Sequence, residues 1–178
     1  MATGHVFIAT SLDGFIARPD GSIDWLMGRD TGGEDHGYDG FIARIDAVVM
    51  GRGTWDVVAG FDPWPYAVPV LVLSKALAGA PVPEALQGKV RFADLSPTAA
   101  MDRLAAEGAA RVYVDGGQLV QAFLRDALID DLVITRVPVL IGAGRPLFGA
   151  LAGDLVLIHE STRSFPSGLV QSRYRVGR

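Results

Sequence analysis

The sequence predicts an α/β protein whose sheet is mainly parallel, with antiparallel strands at its edge. Short apolar runs typical of buried strands alternate along the chain with segments typical of short helices. The last two strand-like segments, 155–163 and 169–176, are joined through Pro166-Ser167-Gly168, which is typical of an antiparallel hairpin. No internal repeat or change in composition marks a linker, so residues 1–178 are predicted to form a single domain.

Strands are predicted where apolar, β-branched or aromatic residues run between turn signals. These segments are 6–10, 15–17, 47–50, 68–73, 90–92, 111–114, 131–137, 155–163 and 169–176. The first two are separated by the turn signal Ser11-Leu12-Asp13-Gly14. The predicted loops are rich in glycine or proline and lie at 28–33, 62–66, 76–87 and 138–147.

Helices are predicted at 34–45, from Thr54 onward, at 96–107 and at 118–125. The third begins with Ser96-Pro97, an N-cap residue followed by proline. In the first helix Glu34 and Asp35 would lie in the first turn, where carboxylates interact favourably with the helix dipole. Gly37 and Gly40 weaken that same helix.

The composition excludes several classes of protein. Hydrophobic residues make up 49% of the 178 residues and the mean hydropathy is +0.29, which favours a buried core over disorder. A chain without cysteine forms no disulfide, thiolate zinc site or cysteine-ligated iron–sulfur cluster. The net charge of −4 disfavours nucleic-acid binding. Neither a membrane span nor a secretory leader pattern is present, so we expect a cytoplasmic protein without membrane contact.

A strand, a tight turn and a helix start follow one another at Ala47–Met50, Gly51-Arg52-Gly53 and Thr54. Glycines let backbone N–H groups approach an anion, the helix start adds partial positive charge, and Arg52 adds a cationic fork. This first glycine corner (51–53) is therefore suited to phosphate. The alternative is an ordinary strand-to-helix connection with a surface arginine.

The same order of strand, tight turn and helix start recurs at Val112–Val114, Asp115-Gly116-Gly117 and Gln118. If this second glycine corner (116–117) lies beside the first, the two could hold the two ends of a dinucleotide at the carboxyl ends of the strands. The alternative is again a plain strand-to-helix turn. Gly142-Ala143-Gly144 is not a dinucleotide-binding fingerprint, because the third glycine and a following helix are missing.

Among the titratable residues, aspartates carry most of the interest. Asp24 precedes Trp25, and a carboxylate beside an indole could bind a flat nitrogen heterocycle stacked on the ring. Asp35 is predicted to project from its helix toward the sheet, where burial would raise its pKa and suit proton delivery. Surface carboxylates are the alternative for each. The three histidines are scattered, so no metal site is predicted.

Together these motifs resemble a known family. The segments 49–55, 71–74 and 114–117 resemble the first corner, the next strand and the second corner of dihydrofolate reductases. The segments 11–14, 24–25 and 138–148 resemble the reductase domain (RibD C-terminal domain) of bifunctional riboflavin-biosynthesis enzymes and stand-alone bacterial proteins similar to it. The match covers nearly the whole chain. It implies a dihydrofolate reductase-like three-layer α/β fold, with a mixed, mainly parallel eight-stranded sheet and a C-terminal β-hairpin.

The resemblance implies that NADPH lies across the strand ends. Arg52, Gly53 and Thr54 would contact the adenosine-side phosphates, with Arg52, Ser74 and Lys75 near the 2′-phosphate. Gly116, Gly117 and Gln118 would receive the pyrophosphate, and Ala9, Thr10 and Ile16 would border the nicotinamide. The strand-end residues Gly51, Leu73 and Asp115 complete the expected cofactor site. The Gly116–Gly117 peptide is expected to be cis, as in dihydrofolate reductases.

On the substrate side, Asp35 matches the pterin-binding carboxylate of the reductases and Thr135 its threonine partner. Asp24 and Trp25 are the rival anchor. The resemblance implies an NADPH-dependent reductase that transfers hydride to a small pterin- or pyrimidine-like heterocycle, with Asp35 catalytic. The alternative is an NADPH-binding sensor or partner-binding protein with little activity. A flavin or nucleotide-sugar enzyme is a third option. The resemblance also implies a homodimer.

Overall fold

The computed structural model describes residues 1–177. Ten strands are present in this part of the chain: β1 (Thr3–Ser11), β2 (Phe15–Ala17), β3 (Ala47–Gly51), β4 (Val70–Leu73), β5 (Val90–Ala93), β6 (Arg111–Asp115), β7 (Ile129–Val137), β8 (Arg145–Pro146), β9 (Leu157–Ser164) and β10 (Val170–Val176). Eight of them form one sheet in the order β5-β4-β3-β6-β1-β7-β10-β9. The short strands β2 and β8 pair separately.

The sheet is parallel from β5 to β7 and antiparallel where β10 pairs with β7 and β9. The apolar runs of β3 and β4 are buried over nearly their whole length, as expected for parallel strands covered on both faces. The C-terminal hairpin supplies the antiparallel edge. The predicted mixed sheet and hairpin are therefore confirmed.

Five α-helices connect the strands: α1 (Asp24–Met27), α2 (Tyr38–Ile42), α3 (Arg52–Val58), α4 (Pro97–Ala106) and α5 (Gly117–Arg125). A short 3₁₀ helix lies at Glu84–Leu86 within a predicted loop. The prediction for α4 is confirmed, since the Ser96 hydroxyl oxygen accepts a hydrogen bond from the Ala99 N–H at 3.2 Å. No helix within residues 1–177 is long and apolar enough to cross a membrane.

The helix predicted at 34–45 is wrong in its first part. Residues 34–36 are irregular, and α2 begins only after Gly37, which has φ +80°. That left-handed conformation suits glycine and interrupts any helix that would start at Glu34. The short helix α1 was not predicted, because four residues are too few to show an apolar period.

Helices cover both faces of the sheet. One face packs against α4 and α5 through Leu104, Val120 and Phe123. The other packs against α2 and α3 through Phe41 and Trp55. This is the three-layer arrangement predicted from the resemblance. All six parallel strands end at one edge of the sheet, where ligands bind in open α/β folds; their last residues there are Ser11, Gly51, Leu73, Ala93, Asp115 and Val137.

Replacing Ser96 with alanine removes the side-chain cap of α4. We expect Ser96→Ala to lower the free energy of unfolding by about 1 kcal/mol, measured by chemical denaturation. Ser96→Asp retains an acceptor at the cap and is expected to stay near the wild-type value. Equal losses for the two variants would contradict the role of the cap.

Candidate active site

The two glycine corners lie side by side. Their strands, β3 and β6, are parallel neighbours in which Met50 pairs with Asp115. A Cβ atom built on Gly116 would lie 2.7 Å from the Thr54 hydroxyl oxygen. The structure thus brings together the two segments that were predicted from the sequence to hold the two ends of a dinucleotide.

The second corner has no room for side chains. A Cβ atom on Gly117 would lie 2.6 Å from the Pro146 carbonyl oxygen and 2.9 Å from Cδ1 of Ile16. Gly116 has φ +100°, a conformation that residues other than glycine rarely adopt. The predicted cis peptide at Gly116–Gly117 is wrong: within residues 1–177 the cis peptide bond is Asp62–Pro63. Glycine at this corner serves close approach and positive φ with a trans peptide.

The start of α5 leaves backbone donors available beside the second corner. Gly116 is its N-cap and offers no side-chain cap, so the N–H groups of the first turn need a partner from outside the helix. Gln118 is exposed on that turn. Backbone donors without a capping side chain are suited to an anion.

The first corner is more open than the second. Gly51 ends β3 in an extended conformation, and Arg52 begins α3. The Arg52 guanidinium is 57% exposed and lies 3.4 Å from the Asp56 carboxylate, one helical turn further on. An exposed pair of this kind is weak, so it would yield readily to a phosphate.

The residues predicted near a 2′-phosphate lie at the end of the neighbouring strand β4. Leu73 pairs with Gly51 across the two strands. Ser74 follows it, and its hydroxyl oxygen accepts a hydrogen bond from the Leu77 N–H at 3.3 Å. Lys75 is exposed. These residues are therefore on the side of the first corner that faces away from β6.

The two β1 residues predicted to border a nicotinamide face opposite sides of the sheet. Ala9 packs with Trp25, Val137 and neighbouring apolar side chains. Thr10 lines a groove of about 360 Å³ on the α5 side, together with Leu147. The structure therefore does not place both side chains on one surface.

Asp115 is the most unusual titratable group at this edge. Burial raises its pKa to about 6, against the hydrogen bond from the Gly116 N–H, which favours the charged form. Burial and the nearby Asp115 carboxylate raise the pKa of Tyr38 to about 12, and the same causes raise the pKa of Tyr66. A carboxyl group whose pKa lies close to neutrality is a candidate for a catalytic acid.

Thr135 accepts a hydrogen bond from the Gln171 side chain, which also contacts the backbone of His36. It is 5% exposed and pairs with Ala9 across β7 and β1. The Gln171 side-chain amide donates to the Thr135 hydroxyl oxygen at 3.0 Å and to the His36 carbonyl oxygen at 2.9 Å. Because the Thr135 oxygen accepts from Gln171, its own proton is directed to a different acceptor.

Glu34 fixes the loop 28–37 against the C-terminal hairpin. Its carboxylate accepts hydrogen bonds from the Ser167 N–H at 2.8 Å and the Ser167 hydroxyl at 2.6 Å. The bond from that hydroxyl is the main reason that the pKa of Glu34 lies below its usual value. His36 lies 3.2 Å from Glu34 and packs edge-on against Phe165. Sequence reasoning missed Glu34 and Gln171 as contacts, because no local pattern reveals a partner more than a hundred residues away.

The expectation that Asp35 projects from a helix into a buried site is wrong. Asp35 is exposed, lies in the loop before α2, and accepts a hydrogen bond from the Gly37 N–H at 2.7 Å. That bond is a local turn contact. The structure therefore offers no burial that would prepare Asp35 for proton transfer, and its catalytic assignment remains a prediction from the resemblance.

Asp24 and Trp25, the rival anchor for the substrate, lie in different environments. The Asp24 side chain is 60% exposed and lies 2.6 Å from the Arg18 guanidinium, which lowers its pKa to about 2. Trp25 is buried against Val137 and Phe165, and its indole N–H has no partner. Asp24 therefore acts as a surface ion-pair partner here, and Trp25 as a core residue beside Ala9.

Histidines do not build a metal site in the part of the chain that the structure describes. His5 is buried and lies 2.8 Å from Asp131, at the opposite end of the sheet from the glycine corners.

The fold and the paired glycine corners define a dihydrofolate reductase-like domain. The family model described as the RibD C-terminal domain matches residues 2–171. The chain therefore belongs to the RibD C-terminal domain family. It is 36% identical over 163 residues to the uncharacterized protein YwjB of Bacillus subtilis (strain 168), covering 90% of each protein.

Solved structures agree with this assignment. A protein from Shewanella sp. PV-4, provisionally named a riboflavin biosynthesis protein, is 40% identical, with a TM-score of 0.91 over 100% of both chains. A Thermotoga maritima deaminase and 5-amino-6-(5-phosphoribosylamino)uracil reductase is 15% identical, with a TM-score of 0.71. That match covers 99% of this chain and 57% of the other, and it shows the shared fold alone.

The contacts at the two corners predict that a methyl group added at Gly117 lowers the stability more than one added at Gly51. Gly117→Ala would meet Pro146 and Ile16, so we expect a loss of about 1–3 kcal/mol in the free energy of unfolding. At Gly51 the nearest atom to a new Cβ is 4.0 Å away, and we expect Gly51→Ala to stay within about 0.5 kcal/mol of wild type. Denaturant titration measures both. A Gly117→Ala variant as stable as Gly51→Ala would contradict the close contact.

Proposed function

We propose that this protein is an NADPH-dependent reductase that transfers hydride to a small pyrimidine- or pterin-like heterocycle. The observation that carries this proposal is the convergence of the two glycine corners beside Asp115, a carboxyl group with a pKa of about 6. A phosphate site and a proton source at the same strand ends are what a reductase of this kind requires.

The residues present fit the cofactor. Gly116 and Gly117 leave a surface of backbone without side chains, and the uncapped first turn of α5 adds N–H donors for a pyrophosphate. Thr54 adds a hydroxyl at the same place. Ser74 and Lys75, at the end of the neighbouring strand β4, would hold the 2′-phosphate. Ala9 and Ile16 would border the nicotinamide.

The surface beside Asp115 suits a flat heterocycle. The half-buried rings of Phe7 and Tyr38 have centroids 5.6 Å apart and pack on Phe41, which is buried in the core. Thr135 and Asp115 add polar groups at the ends of β7 and β6. A mostly apolar surface with few polar groups fixes the orientation of a planar ligand. The uracil reductase activity in the name of the T. maritima relative favours a pyrimidine.

When bound, NADPH supplies the hydride. The protein supplies the proton that completes the reduction, and we assign it to the Asp115 carboxyl group. Protonated Asp115 donates to the atom that gains negative charge, and its carboxylate regains a proton from solvent. Thr135, whose oxygen is occupied by Gln171, donates its own proton to a substrate acceptor and orients the ring.

Calorimetry with NADPH, followed by NADPH oxidation at 340 nm, tests the function. We expect binding, and oxidation in the presence of 5-amino-6-(5-phosphoribosylamino)uracil or a dihydropterin. Failure to bind NADPH would exclude the proposal. Binding without oxidation of any pyrimidine or pterin would favour the NADPH-sensing alternative.

Asp115→Asn tests the proton source. Because the acid form is active and the pKa is about 6, we expect the wild-type kcat/KM to fall as pH rises above about 6. Asp115→Asn should lower kcat by about a hundredfold and remove this pH limb. Asp94→Asn, an exposed carboxylate at the same sheet edge, is the matched control and should keep both. Asp35→Asn separates the two assignments: loss of turnover there but not in Asp115→Asn would return the role to Asp35.

Stability gives a second measurement on Asp115. Its folded pKa lies above the ordinary value of 3.8, so the charged form is less favourable in the folded protein. Wild-type stability should therefore fall between about pH 4 and pH 7 through this group, and Asp115→Asn should remove that part of the fall. If stability depends on pH in the same way in Asp115→Asn as in the wild type, the raised pKa of Asp115 is contradicted.

The expectations of a cytoplasmic location and a homodimer remain proposals. All eight residues of β9 are exposed, including Leu157 and Ile158. We expect a second copy to cover this edge strand, which light scattering would detect as a dimer.

A further inference from the structure

The Arg145 guanidinium lies over the first glycine corner, although the two are far apart in sequence. Its Nη1 atom is 3.0 Å from the position that a Cβ atom on Gly53 would occupy. The Cζ, Nη1 and Nη2 atoms of the same guanidinium lie 3.1–3.2 Å from the position that a Cβ atom on Gly21 would occupy. Glycine at both places therefore leaves room for the guanidinium.

Backbone pairing fixes the segment that carries this arginine. Ala17 pairs with Arg145 in the small β2–β8 sheet. The adjacent Pro146 carbonyl oxygen lies against Gly117 and accepts a hydrogen bond from the Gln121 side chain at 3.1 Å. The strand β8 thus contacts the second corner through its backbone, while its arginine reaches the first.

The guanidinium has few partners of its own. Its Nη2 atom donates a hydrogen bond to the Pro19 carbonyl oxygen at a long 3.4 Å. Within residues 1–177 no carboxylate lies within 4.0 Å of it, whereas Arg52 has Asp56 and Arg18 has Asp24. An exposed cationic fork over a bare glycine turn is complementary to phosphate oxygens, which it can bind in a bidentate manner.

We propose that Arg145 binds the pyrophosphate of the dinucleotide and so completes the phosphate site formed by the two glycine corners. This inference rests on the proposed NADPH binding. Arg145 lies between Gly53 and the backbone beside Gly117, which is the pyrophosphate position. Ser74 and Lys75, at the end of the next strand, are on the 2′-phosphate side. Arg145 therefore serves NADPH and NADH alike, whereas Lys75 distinguishes them.

Titration calorimetry with NADPH and NADH, on the full chain, tests this assignment. We expect Arg145→Ala to raise the Kd for both by about tenfold to a hundredfold and to leave their ratio unchanged. Lys75→Ala should change the ratio by weakening NADPH alone. Arg125→Ala removes the same charge at the far end of α5 and is the matched control, with both Kd values unchanged.

A purely structural arginine would behave differently. If Arg145 only secures the turn at 18–21, Arg145→Ala would lower the melting temperature without ligand and leave the salt dependence of NADPH binding intact. A phosphate contact predicts a shallower dependence of log Kd on log salt concentration. If the alanine variant fails to fold, Arg145→Lys keeps the charge on a slightly shorter side chain without the planar fork. It should recover part of the affinity and the full salt dependence.

The outcomes separate this proposal from the proposed function. Wild-type protein that binds no NADPH overturns both. Wild-type binding with an unchanged Kd in Arg145→Ala overturns the role of Arg145 and leaves the reductase proposal standing. A loss confined to NADPH would place Arg145 at the 2′-phosphate and also overturn the pyrophosphate assignment.

Discussion

The close packing of other segments against the second glycine corner is the constraint on which the rest of the site depends. Gly116 contacts Thr54, and Gly117 contacts Pro146 and Ile16, at distances that exclude even a methyl group. These contacts hold three separate parts of the chain around the ends of β3 and β6. Because neither glycine carries a side chain, the polar lining of the junction is backbone N–H groups and the Thr54 hydroxyl, which suits an anionic ligand.

The same junction links phosphate binding to the acid beside it. Asp115 immediately precedes Gly116, so negative charge held at the corner lies close to its carboxyl group. A nearby anion raises the pKa of a carboxyl group further, adding to the effect of burial. Binding of a phosphorylated cofactor would therefore favour the protonated form of Asp115. In the proposed mechanism, cofactor binding and protonation of Asp115 are therefore coupled.

The sequence predicts the sheet and the glycine corners well because their signals are local. Apolar runs mark β3 and β6, and adjacent glycines mark the turns that follow them. The loop 28–37 is predicted poorly for the opposite reason. Its position depends on Glu34 reaching Ser167 and on the Gln171 amide reaching His36, contacts between residues distant in sequence. Asp35, one residue from Glu34, is left in solvent, and a helix period alone cannot reveal which of two adjacent carboxylates is held.

The two sides of the site are built by different means, and this bears on how the family diverges. The proposed cofactor side is made of strand ends and backbone, and the fold that positions them is retained at 15% identity with a TM-score of 0.71. On the proposed substrate side lies a loop that three side chains, Glu34, Ser167 and Gln171, fasten to the hairpin. A single substitution among them would weaken the attachment of that loop without removing a contact within the sheet core. Substrate choice can therefore change while the phosphate site stays constant, and for this reason the cofactor is easier to infer from the sequence than the heterocycle.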